Sequence, residues 1–359
     1  MKPSLDELRE DMRKKDREII RLLNERSQIS VRIGHVKGQA GLEVYNPAQE
    51  ARVLHYLQEL NDGPLSDRQV TSIFREILSA SRDLQKPMNI AYLGPEASFS
   101  HQAARLHFGT SSRFWPQQGI ARVFDEVEKG AVEWGVVPVE NSLEGSVNVT
   151  LDRLVLTPLK IQAEIYLRIS QCLISSARSM KGIKNVYSHP QGLAQSQAWL
   201  RAHLPNAVLG EMESTAAAVQ MVRGKKSAAA IGSTLAASTY GLNLLAEGIE
   251  DNSSNTTRFL VIGRGDGTPT NHDKTSIIFA TPDSPGALHR ALASFAKRKI
   301  NLTKIESHPV KERMWEYLFF VDMIGHMRDK AVKSCLTELK DKTIHLKILG
   351  SYPRAKDGL

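Results

Sequence analysis

Hydrophobic side chains recur at steps of three and four along residues 4–37, and this spacing predicts one long amphipathic helix. Ser4, with Glu7 three positions later, is typical of a capping box at the start of that helix. A second helix is predicted after Pro47, and a third after Ser66, which has the side chain of an N-cap residue. The first quarter of the chain is therefore predicted to be an all-helical module.

The pattern changes in the middle of the chain, where short apolar runs alternate with helical segments. Strands are predicted for the runs NIAYLG, VEWGVVPVEN, LRISQCLIS, NVYSHP and SAAAIG. Helices are predicted between them, as in SFSHQAARLHF, GLAQSQAWLRAHL and STAAAVQMVRG. Such alternation predicts an α/β sheet, whose ligands lie in the loops that follow the carboxyl ends of strands. The loops GPEASFS, PVENS and SHPQ occupy that position.

A third pattern follows the polar linker GRGDGTPTNHD. Strands are predicted for KTSIIFATP, NLTKIESHPV, WEYLFFVDMIGH and IHLKILGSY, and helices for SPGALHRALASFAKRKI and KAVKSCLTELK. Their order, βαββαβ, is that of a ferredoxin-like α+β domain. The sequence thus predicts a multidomain protein with boundaries at residues 1–87, 88–265 and 273–355.

The composition and the cysteine count argue against a membrane-spanning or secreted protein and against a metal site. The 359 residues contain no apolar run long enough to span a bilayer, and the first residues lack a signal-peptide core. Cys172 and Cys335 lie far apart in the sequence, so we expect reduced thiols, a cytoplasmic location and no metal site.

The net charge of +8 raises nucleic-acid binding as a hypothesis. Residues 272–359 carry 16 basic and 10 acidic side chains, so most of the excess lies in the last quarter. No basic run is interleaved with aromatic residues, which favours an ordinary solvated surface. We expect neither nucleic acid nor a membrane as a partner.

The helical module contains a candidate anion site. Arg26 and Lys37 are eleven residues apart, about three helical turns, and so share one face. Ser81 and Gln85 share a face of the third helix, and Glu50 lies on the second. Together they describe a polar pocket suited to a small dianion, although Arg and Lys at such positions also commonly extend to solvent.

The run LREDMRKKDREIIRLLNERSQISVRIGHVK resembles the first helix of AroQ-type chorismate mutases. The resemblance implies that two arginines bind the carboxylates of chorismate, that Lys37 and Gln85 act on the breaking ether bond, and that the remaining residues bind substrate. The implied binding set is Arg9, Arg26, Lys37, Asn46, Glu50, Ser81 and Gln85. Asn46 and Gln49 stand where the family usually has Asp and Arg.

Helix geometry adds that Arg9 and Arg26 cannot reach one small molecule from the same helix. Seventeen residues correspond to roughly 25 Å along a straight helix. If both bind, Arg9 belongs to a second chain, so we expect an intertwined homodimer or a dimer of such dimers.

The motifs GPEASFSHQAA, VPVENSLEGSVNVTLDRL, SHPQGLAQSQAWL and NTTRF occur in that order and resemble prephenate dehydratase. The resemblance implies a two-lobed α/β fold, like a periplasmic binding protein, with the active site in the cleft. It implies that Thr257 is catalytic, and that a donor at the departing hydroxyl of prephenate is sufficient because the ring becomes aromatic. The implied binding residues are Glu140, Asn141, Ser142, Ser188, Gln191, Thr257 and Arg258; His189 is either catalytic or a turn residue.

The segments TPDSPGALHRAL and KIESHPVKERMWEYLFFVD resemble the ACT regulatory domain of phenylalanine-pathway dehydratases. The resemblance implies an L-phenylalanine site between two chains, formed by Gly286, Ala287, Leu288, Glu306 and Ser307. His308 stands where the family has arginine.

These resemblances imply a bifunctional chorismate mutase–prephenate dehydratase that needs no cofactor, takes chorismate and prephenate as substrates, and is inhibited by L-phenylalanine. One alternative keeps the dehydratase but gives the helical module a regulatory or dimerising role. A second is a ligand-responsive transcription regulator, against which the uninterrupted first helix argues because it contains no helix-turn-helix.

Overall fold

The computed structural model of the chain describes residues 3–309 and 317–355, which form two compact units. Residues 3–88 and 108–113 form the first unit, and the rest of the described chain forms the second. Residues 310–316, with the predicted strand ends at VKERMWE, lie outside the described residues. In the part that is described, no helix is both long and apolar enough to cross a membrane.

The first unit contains the three predicted helices: α1 (Leu5–Gln39), α2 (Pro47–Glu59) and α3 (Asp67–Gln85). The capping box at Ser4 and Glu7 is confirmed, and Ser66 forms a second one with Gln69 at the start of α3. These side chains accept from backbone N–H groups that the first turn of a helix leaves without partners.

Helix α3 packs against α2 and against the second half of α1. Gly34 permits the close approach, because a Cβ there would lie 2.7 Å from the Gln85 side chain. Along the whole of α1, Ser30 is the one buried residue, although the helix carries a full apolar stripe. Large side chains of α1 that remain exposed are Leu5, Leu8, Met12, Ile19, Ile20, Leu22, Ile29, Ile33 and Val36.

The second unit begins with the elements of one lobe: β1 (Asn89–Leu93), α4 (Phe99–Phe108), β2 (Arg113–Gln117), α5 (Ile120–Lys129), β3 (Trp134–Asn141), β4 (Gly145–Ser146), α6 (Asn148–Leu156) and β5 (Lys160–Arg168). The chain then forms a second lobe: β6 (Cys172–Ser175), β7 (Asn185–Ser188), α7 (Pro190–Ala194), α8 (Gln197–His203), β8 (Val208–Glu211), α9 (Thr215–Met221), β9 (Ala228–Gly232), α10 (Thr234–Tyr240) and β10 (Asn243–Glu247). Finally β11 (Thr256–Gly263) returns to the first lobe.

Two separate mixed sheets result, as the two-lobed prediction requires. The first has the strand order β2-β1-β3-β11-β5, with β4 paired to β3, and the second has the order β10-β6-β9-β7-β8. The motif GPEASFS follows β1, whereas PVENS contains the last four residues of β3 and SHPQ begins with the last residue of β7, so each motif lies at the carboxyl end of a strand.

Two local predictions in this region are wrong. LRISQCLIS is not one strand: its first residues end β5 in the first sheet, and Cys172 begins β6 in the second. The end of β5 and the start of β6 both contain buried apolar residues. The apolar run therefore does not indicate that the chain passes from one sheet to the other between them. GLAQSQAWLRAHL is likewise two helices, since α7 ends before Gln195 and α8 begins at Gln197.

The last domain has the predicted βαββαβ order: β12 (Asp273–Ala280), α11 (Ala287–Ala296), β13 (Leu302–Pro309), β14 (Tyr317–Ile324), α12 (Lys330–Lys342) and β15 (His345–Pro353). The sheet order β13-β14-β12-β15 is that of a ferredoxin-like fold. Its inner face shares one core with the first lobe, in which Ile278, Phe320 and Leu349 pack with Val137 and Leu260. Burial of this shared apolar surface fixes the domain against the dehydratase-like sheet.

Candidate active site

Side chains from α1 and α3 meet in the second half of the helical module. The Arg26 guanidinium donates to the Ser81 hydroxyl at 2.7 Å, and the Gln85 amide donates to the Ser30 hydroxyl at 2.7 Å. The Oε1 atom of Gln85 is buried and accepts no hydrogen bond from the described residues. The Ser30 hydroxyl donates its own proton to the Ser81 carbonyl at 3.1 Å, and Gln85 Nε2 also lies 3.3 Å from that carbonyl, so Ser30 and Ser81 hold the Gln85 amide in this orientation.

Glu50 adds a carboxylate beside these cations and is paired with Arg82. Burial raises the pKa of Glu50, and the charges of Arg82, Lys37 and Arg26 oppose that rise. Burial lowers the pKa of both Arg26 and Lys37, and the charge of Glu50 opposes that fall. The Lys37 ammonium also donates to the backbone carbonyl of Val44 at 2.7 Å. The positive charge of Arg82 offsets the negative charge of Glu50. The charges of Arg26 and Lys37 therefore make the pocket positive, which favours a bound dianion.

Two residues of the predicted mutase set, and the neighbouring Gln49, lie differently. Arg9 is exposed in the first half of α1, where its ion pair is with Asp6 at 3.4 Å. Asn46 is the N-cap of α2, and its side chain accepts from the backbone N–H of Gln49 at 3.0 Å. The Gln49 side chain is exposed. The structure therefore brings together Arg26, Lys37, Glu50, Ser81 and Gln85 and does not bring Arg9 to them.

Thr257 and Asn141 face each other across the first sheet. They are register partners in the antiparallel pair β3–β11, and the Asn141 amide donates to the Thr257 hydroxyl at 2.8 Å. The same amide donates to Asn255 at 2.8 Å. Ser142 closes the group, since its hydroxyl accepts from the backbone N–H of Thr256 at 3.0 Å. The polar cluster of DNSSNTTRF is therefore hydrogen-bonded to PVENS, the motif at the carboxyl end of β3.

The SHPQ motif lies in the second lobe, at the end of β7 and the start of α7. The Ser188 hydroxyl is fully buried and donates to the carbonyl of Ile231 at 3.0 Å. His189 is the N-cap of α7, where its Nδ1 accepts from the backbone N–H of Gln191 at 3.3 Å. That contact occupies Nδ1 of His189 in the cap of α7. The Gln191 side chain is half-buried.

Arg258 and Glu140 lie on the other face of the sheet from Thr257, because successive residues of a strand point to opposite faces. The Arg258 guanidinium is buried, donating to Asp322 at 2.6 Å and to the Tyr352 hydroxyl at 3.0 Å. Glu140 pairs with Lys304 at 2.9 Å. These side chains line a polar cavity of about 180 Å³ that faces the last domain. The structure does not bring Arg258 or Glu140 into the Thr257 cluster.

The predicted effector residues fall into two groups. Gly286 has a left-handed φ of 76° at the start of α11, where Ala287 is buried and Leu288 half-buried. Glu306 points toward the first lobe and accepts from the Ser146 hydroxyl. The neighbouring Ser307 is exposed.

His308 also reaches the first lobe. Its Nε2 lies 2.7 Å from the Asp152 carboxylate of α6, and its ring contacts Phe320 edge-on. The strand β13 therefore touches the first lobe through alternate residues, as its pleat requires.

Comparisons with known proteins agree with this architecture. Family models match at residues 8–86 for chorismate mutase type II, 90–267 for prephenate dehydratase and 275–341 for the ACT domain. The bifunctional chorismate mutase/prephenate dehydratase of Aquifex aeolicus is 46% identical over 98% of both chains. The chain belongs to the bifunctional chorismate mutase/prephenate dehydratase family.

Two solved structures resemble the last three quarters of this family member. The prephenate dehydratase of Arthrobacter aurescens, solved in complex with L-Phe, is 33% identical with a TM-score of 0.69, covering 74% of this chain and 90% of that one. GqqA, described as a novel type of quorum quenching acylase, is 29% identical with a TM-score of 0.69, covering 74% of this chain and 98% of that one.

The sequence analysis did not predict that Asn255 belongs to the Thr257 cluster, which also contains Asn141 and Ser142. Its side chain is buried and contacts both Asn141 and Gln195. A signal was available, because positions 255 and 257 are two apart on a strand-like segment and so share a face.

Proposed function

We propose that this chain rearranges chorismate to prephenate in its helical module and converts prephenate to phenylpyruvate at Thr257. The observation that carries the second assignment is the hydrogen bond between Thr257 and Asn141, which joins the motifs NTTRF and PVENS within the region matched by the dehydratase model. The similarity to a bifunctional relative over nearly the whole chain supports both activities in one protein.

The mutase reaction moves no proton and needs no nucleophile. It requires that chorismate be held in a compact conformation while charge develops on its ether oxygen. Arg26 and Lys37 supply positive charge, Ser81 holds Arg26 in place, and the Gln85 amide lies beside them, held by Ser30. Buried donors of this kind stabilise a developing oxyanion more strongly than water does.

The dehydratase reaction breaks two bonds of prephenate. The electron pair of the bond to the ring carboxylate moves into the ring as CO₂ leaves, and the ring expels the hydroxyl group. A proton donated to the departing oxygen converts it to water, and the aromatic product is phenylpyruvate. Thr257 donates the hydrogen bond to that oxygen. The proton reaches it from Thr257 or, through that hydrogen bond, from solvent.

A substrate-feeding experiment tests both assignments in the intact protein. Chorismate and prephenate are supplied separately, and phenylpyruvate is measured in each case. Product from both supports two activities. Product from prephenate alone would leave the helical module with a regulatory or dimerising role, and product from neither would refute the dehydratase assignment.

The organisation of the chain is proposed as three domains at residues 1–87, 88–265 and 273–355, close to the ranges of the three family models. A cytoplasmic location is proposed because Cys172 and Cys335 are both free and buried.

A homodimer is proposed because α1 leaves its apolar stripe exposed. Leu8 and Met12, for example, are 51% and 64% exposed in the single chain. Surface-exposed stripes of this size are typical of a protein–protein interface. A second copy of α1 would cover this one and would bring Arg9 to the partner's pocket.

L-phenylalanine is proposed as the effector that binds the ACT domain and inhibits the dehydratase. The Arthrobacter dehydratase solved with L-Phe supports the ligand. The contacts of Glu306 with Ser146 and of His308 with Asp152 connect the ACT edge strand to the first lobe. An effector can inhibit at a distance only through an arrangement that both sites bias.

Asp152→Asn is therefore expected to weaken inhibition. The substitution removes the charge opposite His308 but keeps the side chain's shape. The half-inhibitory phenylalanine concentration should rise about five- to tenfold, the lower end of typical coupling energies, while kcat without effector stays near the parental value. The exposed Asp341→Asn is the matched control and should behave as the parent. Unchanged inhibition in Asp152→Asn would contradict the proposed connection.

A further inference from the structure

Asn255 connects the Thr257 cluster of the first lobe to the second lobe through its side-chain amide. It is 1% exposed, and its Oδ1 accepts from the Asn141 amide at 2.8 Å. Its Nδ2 donates to Oε1 of Gln195, in the second lobe, at 3.1 Å. That same Oε1 accepts from Gln171 at 3.3 Å. Because Gln195 presents an acceptor to two donors, the Asn255 amide is held with its oxygen toward Asn141.

The Asn141 amide is fully occupied as a result. Its Oδ1 accepts from the backbone N–H groups of Leu143 at 2.9 Å and Glu144 at 3.2 Å. Its Nδ2 gives one hydrogen to Asn255 and one to Thr257, each at 2.8 Å. A side-chain amide has two donor hydrogens and about two acceptor positions, so all are used. Asn141 is therefore a positioning residue, with no hydrogen-bonding group left for a substrate.

This orientation decides what the Thr257 hydroxyl can do. With Asn141 donating, the Thr257 oxygen is an acceptor and its own proton points elsewhere. Among residues 3–309 and 317–355, no hydrogen bond takes that proton. A reversed Asn141 amide would present its oxygen to Thr257 and accept the proton. A hydroxyl that accepts one hydrogen bond is also a stronger donor in the next.

We propose that Asn255 is a positioning residue for the dehydration: it holds the Asn141 amide so that Thr257 is left as the donor to the departing oxygen. The inference rests on the dehydratase function proposed above. Asn255 would then affect catalysis through its hydrogen bond with the Asn141 amide.

A double-mutant cycle on the full-length protein tests this. Asn255→Ala should lower kcat for prephenate about 10- to 100-fold, as a small misplacement of a reacting group does, with KM changed less than about threefold. In a Thr257→Val background the same change should lower residual kcat by no more than about twofold, because coupled residues are not additive. The matched control is Asn252→Ala, in the same segment, whose exposed side chain accepts hydrogen bonds from Ser254.

Equal losses in both backgrounds would overturn the proposal, since they would indicate a general structural role. So would parental kcat in Asn255→Ala. Thermal unfolding and L-phenylalanine binding report whether each variant is folded. A parent that fails to turn over prephenate would refute the dehydratase assignment itself, which separates the two failures.

Asn255→Asp tests the orienting role of Asn255 if Asn255→Ala does not fold or if Thr257→Val leaves no measurable turnover. The carboxylate keeps the shape and still accepts from Asn141. Its charge is expected to raise KM for an anionic substrate, so kcat is compared. A kcat within about tenfold of the parent supports an orienting acceptor. A loss of more than about a hundredfold in the folded variant overturns it.

Discussion

Thr257→Ala is expected to lower the dehydratase kcat by about 10²–10³-fold, the usual effect of removing one donor from a developing oxyanion. The side chain is 9% exposed, and Asn141 holds its oxygen as an acceptor, so its proton is the group that alanine removes. Chorismate mutase turnover by the same protein should stay near the parental value, because Arg26 and Lys37 belong to the other compact unit. Phenylpyruvate formation from prephenate is the measurement.

Two matched variants make the result specific. Thr257→Ser keeps the hydroxyl and should retain most of the activity. Thr256→Ala removes the neighbouring hydroxyl, on the other face of β11, and should have a small effect. Near-parental phenylpyruvate formation by Thr257→Ala would rule out the donor role.

The sequence predicted most where local chemistry decides the structure. The three helices of the first unit begin at Ser4, Asn46 and Ser66, each of which caps a helix with its own side chain. Capping depends on a residue and its near neighbours, so it can be predicted from a few positions. The ferredoxin-like order of the last domain was equally accessible, since its strands and helices alternate in clear periods.

Prediction failed where the chain passes between sheets. Residues Leu167 and Cys172 are both buried, but they belong to strands of different lobes. An apolar run indicates that its residues are buried, but it does not indicate which sheet they belong to. The long-range partners of β5 and β6 are β11 and β9, and no local pattern specifies such pairings.

The candidate dehydratase site illustrates the same limit within one motif. Thr257 and Arg258 are adjacent in NTTRF and were predicted to bind one substrate, but Thr257 faces Asn141 while Arg258 pairs with Asp322 of the ACT domain. The alternation of a strand was sufficient to separate them. The identity of Arg258's partners was not predictable, because Glu164, Asp322 and Tyr352 come from three distant segments.

The second large effect is expected from the proposal that two chains share each mutase site. Arg9→Ala and Arg26→Ala should each lower chorismate mutase activity by about a hundredfold or more, as expected for a charged donor to the reacting substrate. The two residues are 17 positions apart on one continuous helix, roughly 25 Å, so a single α1 cannot bring both to one chorismate. If the missing arginine comes from a second copy, each pocket combines Arg26 of one chain with Arg9 of the other.

Mixing the two inactive proteins should therefore restore activity. In a heterodimer of Arg9→Ala with Arg26→Ala, one pocket contains both substitutions and the other contains neither. Random re-assortment makes half the dimers heterodimers with one working pocket each, so about a quarter of the parental mutase activity should return. A mixture of Arg26→Ala with Lys37→Ala is the matched control, because both side chains belong to the same chain's pocket and no intact pocket can form. Dehydratase turnover measures protein concentration in every sample, and restoration in the first mixture but not in the second requires that Arg9 act across the dimer. If heterodimers form and the first mixture stays inactive, the apolar stripe of α1 is covered in some other way and the pocket must find its second cation within one chain.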